Sequence, residues 1–127
     1  MVKKLAILGS TGSIGQSTLS ICESFPDRYE VVSLAAGRNL DEAFGQCLRW
    51  RPKIVSLATE ELAHTLRKRL REAGANGPEV LYGSAGSVQV ATLPEVDFVV
   101  SAIVGVAGLE ATYAAVCAGK TIGLANK

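Results

Sequence analysis

Seven residues near the start of the chain carry the clearest chemistry: Gly9-Ser10-Thr11-Gly12-Ser13-Ile14-Gly15. Glycines at GxxGxxG spacing, set between an apolar run and a helical pattern, suit a loop wrapped around a pyrophosphate. Gly9 turns the chain sharply, Gly12 removes a side chain where phosphate must approach backbone, and Gly15 lets the following helix pack closely. Amides at a helix start, with the dipole behind them, attract anions, and Thr11 and Ser13 add hydroxyls. An ATP-hydrolysing loop of the form GxxxxGK[ST] is absent, since Gly15 is followed by Gln16-Ser17. Glycines also serve tight turns that hold no ligand. The weight of this motif therefore rests on its place between strand and helix.

A second group lies about 20 residues further on, where NAD-binding folds place a carboxylate against the ribose 2′-hydroxyl. This chain has Ala35-Ala36-Gly37-Arg38-Asn39 instead. With no carboxylate to repel a 2′-phosphate and a guanidinium to pair with one, the segment favours NADP(H) over NAD(H). Gly37 leaves room for the adenosine, and Asn39 can donate or accept beside it. A third segment, Ser101-Ala102-Ile103-Val104-Gly105-Val106-Ala107-Gly108, is small enough to let a dinucleotide approach and suits an ordinary strand-to-helix turn equally well. Other residues invite blander readings. His64 is the one histidine and sits in a charged helical stretch, with no partner for a zinc site. The basic Arg67-Lys68-Arg69 and Arg71 read as a solvated helix face, Trp50 as packing or rim, and Cys22, Cys47 and Cys117 as small hydrophobes on helices.

These groups need elements to hold them. Residues 3–8 form a short apolar run ending in glycine, as a buried strand does. Residues 14–24 repeat Ile14, Thr18, Leu19, Ile21 and Cys22 at helical spacing, closed by Pro26. Strands are predicted over 29–36, 53–57, 79–82, 97–102 and 120–125. Helices are predicted over 40–50, from Thr59 to near Gly74, over 83–93 and over 109–118. Such alternation with short connections predicts a doubly wound α/β fold of Rossmann type, a mainly parallel sheet with helices on both faces.

Composition agrees. The chain has 127 residues, enough for one domain, with 13 Lys+Arg against 12 Asp+Glu and a net charge of +1. That balance speaks against a nucleic-acid partner. No apolar run approaches the roughly 20 residues of a membrane helix. The basic-then-apolar start stops at Gly9 with no cleavage site after it, so no signal peptide is expected. An odd set of 3 cysteines without CxxC fits a reducing cytoplasm.

The ILGSTGSIG, AAGRN, AIVGVAGL and LANK segments, in this order and spacing, closely resemble the 1-deoxy-D-xylulose 5-phosphate reductoisomerase family. The resemblance spans essentially the whole chain. It implies a bacterial, cytoplasmic, homodimeric enzyme that uses NADPH and a divalent metal, Mg²⁺ or Mn²⁺. Its substrate is a small sugar phosphate, and its product is 2-C-methyl-D-erythritol 4-phosphate of the non-mevalonate isoprenoid route. Carried over by position, NADPH contacts fall on Thr11, Gly12, Ser13, Ile14, Gly37, Arg38, Asn39 and Asn126, and a substrate-binding lysine on Lys127. Many relatives carry lysine at the position of Arg38. They also continue past Lys127 with Glu-Ser-Leu and are about three times as long, a scale that suits further domains. The chain is thus expected to be the N-terminal cofactor-binding part of the enzyme. No catalytic residue or metal ligand is expected within it, nor turnover by itself, and some apolar surface is expected to be left uncovered. Two alternatives stay open: another NADP-dependent reductase, and a nonenzymatic nucleotide sensor. A sugar epimerase would need Tyr-x-x-x-Lys, and Tyr113 is followed by Ala114-Ala115-Val116-Cys117.

Overall fold

A computed structural model describes residues 2–75, 77–103 and 108–124. Strands and helices alternate along these residues. They are β1 (Lys3–Leu8), α1 (Ser13–Ser24), β2 (Tyr29–Gly37), α2 (Leu40–Trp50), β3 (Ile54–Leu57), α3 (Glu60–Glu72), β4 (Glu79–Tyr82), α4 (Gly83–Thr92), β5 (Phe98–Ser101), α5 (Leu109–Cys117) and β6 (Thr121–Leu124). Each predicted element is present, with ends displaced by a residue or two. The local causes are legible: Asn39 and Thr59 accept from Glu42 N and Leu62 N and so cap α2 and α3. Asp41 and Glu42, then Glu60 and Glu61, fill those helices' first turns.

All pairings are parallel, and the strand order is β4-β3-β2-β1-β5-β6. Buried residues form two layers. Leu5, Ile7, Leu34 and Val55 pack under α1, α2 and α3 with Leu19, Cys22, Cys47 and Leu66. Ala6, Leu8, Val32 and Val99 pack on the other face with Val90 and Ala91 of α4 and Ala111 and Ala115 of α5. From β4 the chain returns through α4, which lies across β3, β2 and β1, to place β5 on the far side of β1. The connections after β1 and β5 therefore leave the sheet in opposite directions, and a crevice opens at the carboxyl ends of the strands.

One irregularity supports that crossover. The β1–β2 register shifts between Leu5↔Val31 and Ala6↔Ser33, so Val32 is an extra residue and the strand bulges. Val32 joins the α4 layer, and the buried Ser33 hydroxyl donates to the Val90 carbonyl of α4 at 2.8 Å. A polar group in the core is thereby satisfied.

The basic stretch of α3 is a solvated face, with Arg67, Lys68 and Arg71 exposed; from it Arg67 donates to the Val80 carbonyl at 2.7 Å, and Arg69 pairs with Asp41 of α2 at 2.8 Å. One expectation changes: Cys22 and Cys47 are buried as small hydrophobes are, whereas Cys117 is exposed. Leu109, Tyr113 and Val116 also stand exposed along α5. His64 is exposed, and Trp50 is half-buried with Arg49 over its ring at 4.6 Å. No described helix is long and apolar enough to cross a membrane.

Burial pushes the Cys47 thiol from its ordinary 9.0 up to about 12, and desolvation raises Cys22 as well, against a smaller lowering by its own backbone hydrogen bond. The unfolded chain sheds these protons near 9 while the folded chain keeps them. The associated stability is therefore complete below pH 9 and is lost as pH rises toward 12. Melting temperature is expected to fall over that window, and Cys47→Ala to make the fall shallower. Equal slopes in thermal melts of the two proteins would contradict this.

Candidate functional site

The loop after β1 is built by backbone geometry. Gly9 has φ +87, donates its N–H to the Ala35 carbonyl at 2.8 Å, and lies so close to β5 that a Cβ would stand 2.9 Å from the Ala102 carbonyl. Ser10 N–H also reaches Ala35 O, at 3.0 Å. At Gly15 a Cβ would meet the Gly9 carbonyl oxygen at 2.1 Å, so the first turn of α1 rests directly on the loop. Gly12 is different. Its φ is an ordinary −78, and a Cβ would find only Gly9 O, at 3.6 Å. The chain's own packing therefore does not require glycine there, and the space above it opens into solvent.

That space is part of a cleft of about 510 Å³. Gly9, Thr11 and Gly12 line one end and Ala35, Ala36, Gly37 and Arg38 the next. Leu57 and Ala58 form the floor beyond β3, Gly83, Ser84 and Ser87 come from the start of α4, and Ala102 and Ile103 follow β5. The cleft occupies the crevice that the strand order creates.

Its electrostatics favour an anion. The helix α1 starts at Gly12 with no side-chain cap and no acidic residue in its first turn, unlike α2 and α3. The amides of Ser13, Ile14 and Gly15 thus keep their hydrogen-bonding capacity, with the dipole behind them. Helix α4, which faces the same cleft, also begins without a side-chain cap or an acidic residue. Arg38 is exposed at the tip of β2 and makes no ion pair or side-chain hydrogen bond among the described residues.

The structure thus brings Thr11, Gly12, Gly37 and Arg38 to one cleft and sets Ser13 and Ile14 in the first turn beside it. Two side chains have roles that spacing did not reveal. The Thr11 hydroxyl donates to Ala36 O at 2.7 Å, tying the glycine loop to the end of β2, so its proton is committed and a phosphate would meet the loop's backbone instead. Asn39 spends its Oδ1 on the α2 cap and keeps only its Nδ2 donors. Asn126 and Lys127 lie outside the described residues, as does the segment 104–107. One contributor went unnoticed: Gln46, whose amide reaches Ser10 O at 2.8 Å. A polar residue between Ala43 and Cys47, on the buried stripe of an amphipathic helix, was the available signal.

A dinucleotide fits these residues, because Gly12 is open, α1 has no side-chain cap and Arg38 is unpaired among the described residues. A metal does not: among the described residues no group of three or more His, Cys, Asp or Glu is placed to hold one.

The family model described as 1-deoxy-D-xylulose 5-phosphate reductoisomerase matches residues 5–127. The chain is 52% identical over 126 residues to the reductoisomerase of that name from Methylococcus capsulatus, and 48% identical to that of Photorhabdus laumondii. In each case 99% of this chain is covered, but only 32% and 31% of the relative. Among solved structures it resembles a DOX-P reductoisomerase in complex with NADPH, fosmidomycin and magnesium, with TM-score 0.93 and 38% identity over 98% of this chain and 30% of that one. The Zymomonas mobilis enzyme in complex with NADPH superposes with TM-score 0.89 and 38% identity, covering 99% of this chain and 32% of that one. The chain spans about a third of the length of the curated relatives it matches.

Proposed function

This chain belongs to the 1-deoxy-D-xylulose 5-phosphate reductoisomerase family, and on that premise we propose that it holds NADPH for that family's reaction, in which the sugar phosphate is isomerised and reduced to 2-C-methyl-D-erythritol 4-phosphate. The observation that carries the reading is the single cleft in which an open Gly12, the uncapped start of α1 and an unpaired Arg38 lie side by side. Ser13, Ile14 and Gly15 donate backbone N–H groups to the pyrophosphate, joined by the amide of Thr11, while the Gly12 N–H is spent within the loop on Gly9 O at 3.2 Å. Arg38 pairs with the 2′-phosphate, Gly37 gives the ribose room and the Asn39 Nδ2 donates beside it. When bound, NADPH supplies the hydride. The two relatives solved with NADPH support the cofactor assignment.

Asn126 as a further cofactor contact and Lys127 as the substrate-binding lysine follow from the family resemblance. A fixed positive charge at Lys127 would hold and polarise substrate oxygens. The same resemblance supports a small sugar phosphate as substrate, a homodimer and a cytoplasmic location. The chain is read as the cofactor-binding domain, 1–127, of that enzyme, with the reaction centre completed elsewhere.

Titration of the purified protein with NADPH and with NADH tests the reading. NADPH is expected to bind at least tenfold more tightly, and product formation to be undetectable from the 127-residue polypeptide alone. Equal affinity for the two coenzymes, or no binding of either, would refute it.

A further inference from the structure

Gln46 is nearly buried, at 7% exposure, between α2 and the glycine loop. Its Nε2 donates to the Ser10 carbonyl at 2.8 Å, a contact spanning 36 residues of sequence, while its Oε1 has no partner. An unpartnered buried carbonyl oxygen costs stability that a leucine or methionine of similar volume would not. The hydrogen bond it makes in exchange is directed at one place, the peptide that immediately precedes Thr11 and Gly12. The peptide just before it is held as well, since Ser10 N–H reaches Ala35 O.

Helix α2 gives this contact a wider meaning. It springs from Asn39, directly after Gly37 and Arg38, and Gln46 lies two turns along the same rigid rod. One helix therefore touches both ends of the cleft, carrying the 2′-phosphate segment at its start and bracing the pyrophosphate loop from its flank.

We propose that Gln46 is a positioning residue for the pyrophosphate: through Ser10 it fixes the loop so that the amides of Thr11, Ser13, Ile14 and Gly15 converge on the cleft at a set distance from Arg38. The proposal rests on the NADPH reading above. It touches no cofactor atom itself. Removing the donor loosens the loop and should weaken every ligand that carries a pyrophosphate by a common factor, without changing which coenzyme is preferred.

The test measures affinities of Gln46→Met and of the unmodified protein for NADPH, NADH and adenosine 2′-monophosphate, which has the 2′-phosphate but no pyrophosphate. NADPH and NADH are both expected to bind Gln46→Met about tenfold more weakly, with their ratio and the affinity for adenosine 2′-monophosphate unchanged. Unaltered NADPH affinity would overturn the proposal. So would a parallel loss for adenosine 2′-monophosphate, the mark of a general distortion. If Gln46→Met does not fold, Gln46→Ala serves: it removes the donor without burying a charge, and should give the same common loss with the ratio preserved. Failure of the unmodified protein to bind NADPH would sink the coenzyme reading together with this proposal, whereas tight binding by both proteins would sink this proposal alone.

Discussion

Gly15→Ala is expected to lower the stability of this protein by about 3 kcal/mol, at the upper end of typical overpacking costs, while Gly12→Ala leaves it folded and impairs coenzyme binding. The two substitutions add the same methyl group three residues apart. At Gly15 it would stand 2.1 Å from Gly9 O and 2.7 Å from Ser10 Cα, both backbone atoms. Neither can retreat freely, because Gly9 and Ser10 both donate to Ala35 O and Gly9 lies where even a methyl group would strike the Ala102 backbone. Alanine's better helix propensity offsets only about 1 kcal/mol of a larger steric cost, and the loss of about 3 kcal/mol is what remains. In a domain of this size the net loss should appear as a fall of roughly 10 °C in melting temperature. At Gly12 the methyl meets nothing closer than 3.6 Å and the backbone is relaxed. Loss of a preferred capping residue costs about 1 kcal/mol or less. There the methyl fills the approach to the α1 amides, and NADPH affinity should drop more than tenfold. Unchanged melting of Gly15→Ala would disprove the packing account, and full NADPH affinity in Gly12→Ala would disprove the phosphate cradle.

Arg38→Ala is expected to abolish coenzyme preference without touching stability. Arg38 is exposed and engages no partner among the described residues, so its removal leaves nothing unsatisfied. Against a 2′-phosphate it offers charge-assisted hydrogen bonds, worth about 1.5–3 kcal/mol. At 1.4 kcal/mol per decade, NADPH should bind roughly 10–100-fold more weakly. NADH, which has a hydroxyl in that place, should bind as before. The pattern differs from that of Gln46→Met, which lowers both coenzymes together. Arg38→Lys should retain most of the preference, since the ammonium keeps the charge and loses only the bidentate fork. Isothermal titration with both coenzymes decides the matter. An NADPH-to-NADH ratio unaffected by Arg38→Ala would remove the 2′-phosphate assignment.

The element order was legible because its causes are local. An apolar run ending at Gly9, helical spacing through Leu19 and Cys22 closed by Pro26, and a helix start at Thr59 all act within a few residues. The glycine loop was legible for the same reason: a strand, a turn and a helix start follow one another without interruption. Arg38 could be singled out as a candidate because the tip of β2 adjoins the loop after β1 in any sheet that pairs those strands in parallel.

Other features depended on residues remote in sequence. Placement of β5 beside β1, with α4 lying across three strands, follows from how the two buried layers fill together and from a bulge at Val32. The basic stretch of α3 is the solvated face its charge suggests, and only folding set Arg67 beside Val80 and Arg69 beside Asp41. Thr11 looked like a phosphate donor until its hydroxyl proved tied to Ala36, 25 residues away. Local pattern and turn chemistry thus determined which elements form and which loop carries glycine and charge. Tertiary structure alone decided the order of the strands, the free or committed state of each polar group and the brace from Gln46. Those depend on which distant groups become neighbours, and a hydrogen bond's worth is settled only when water has been displaced by a particular partner.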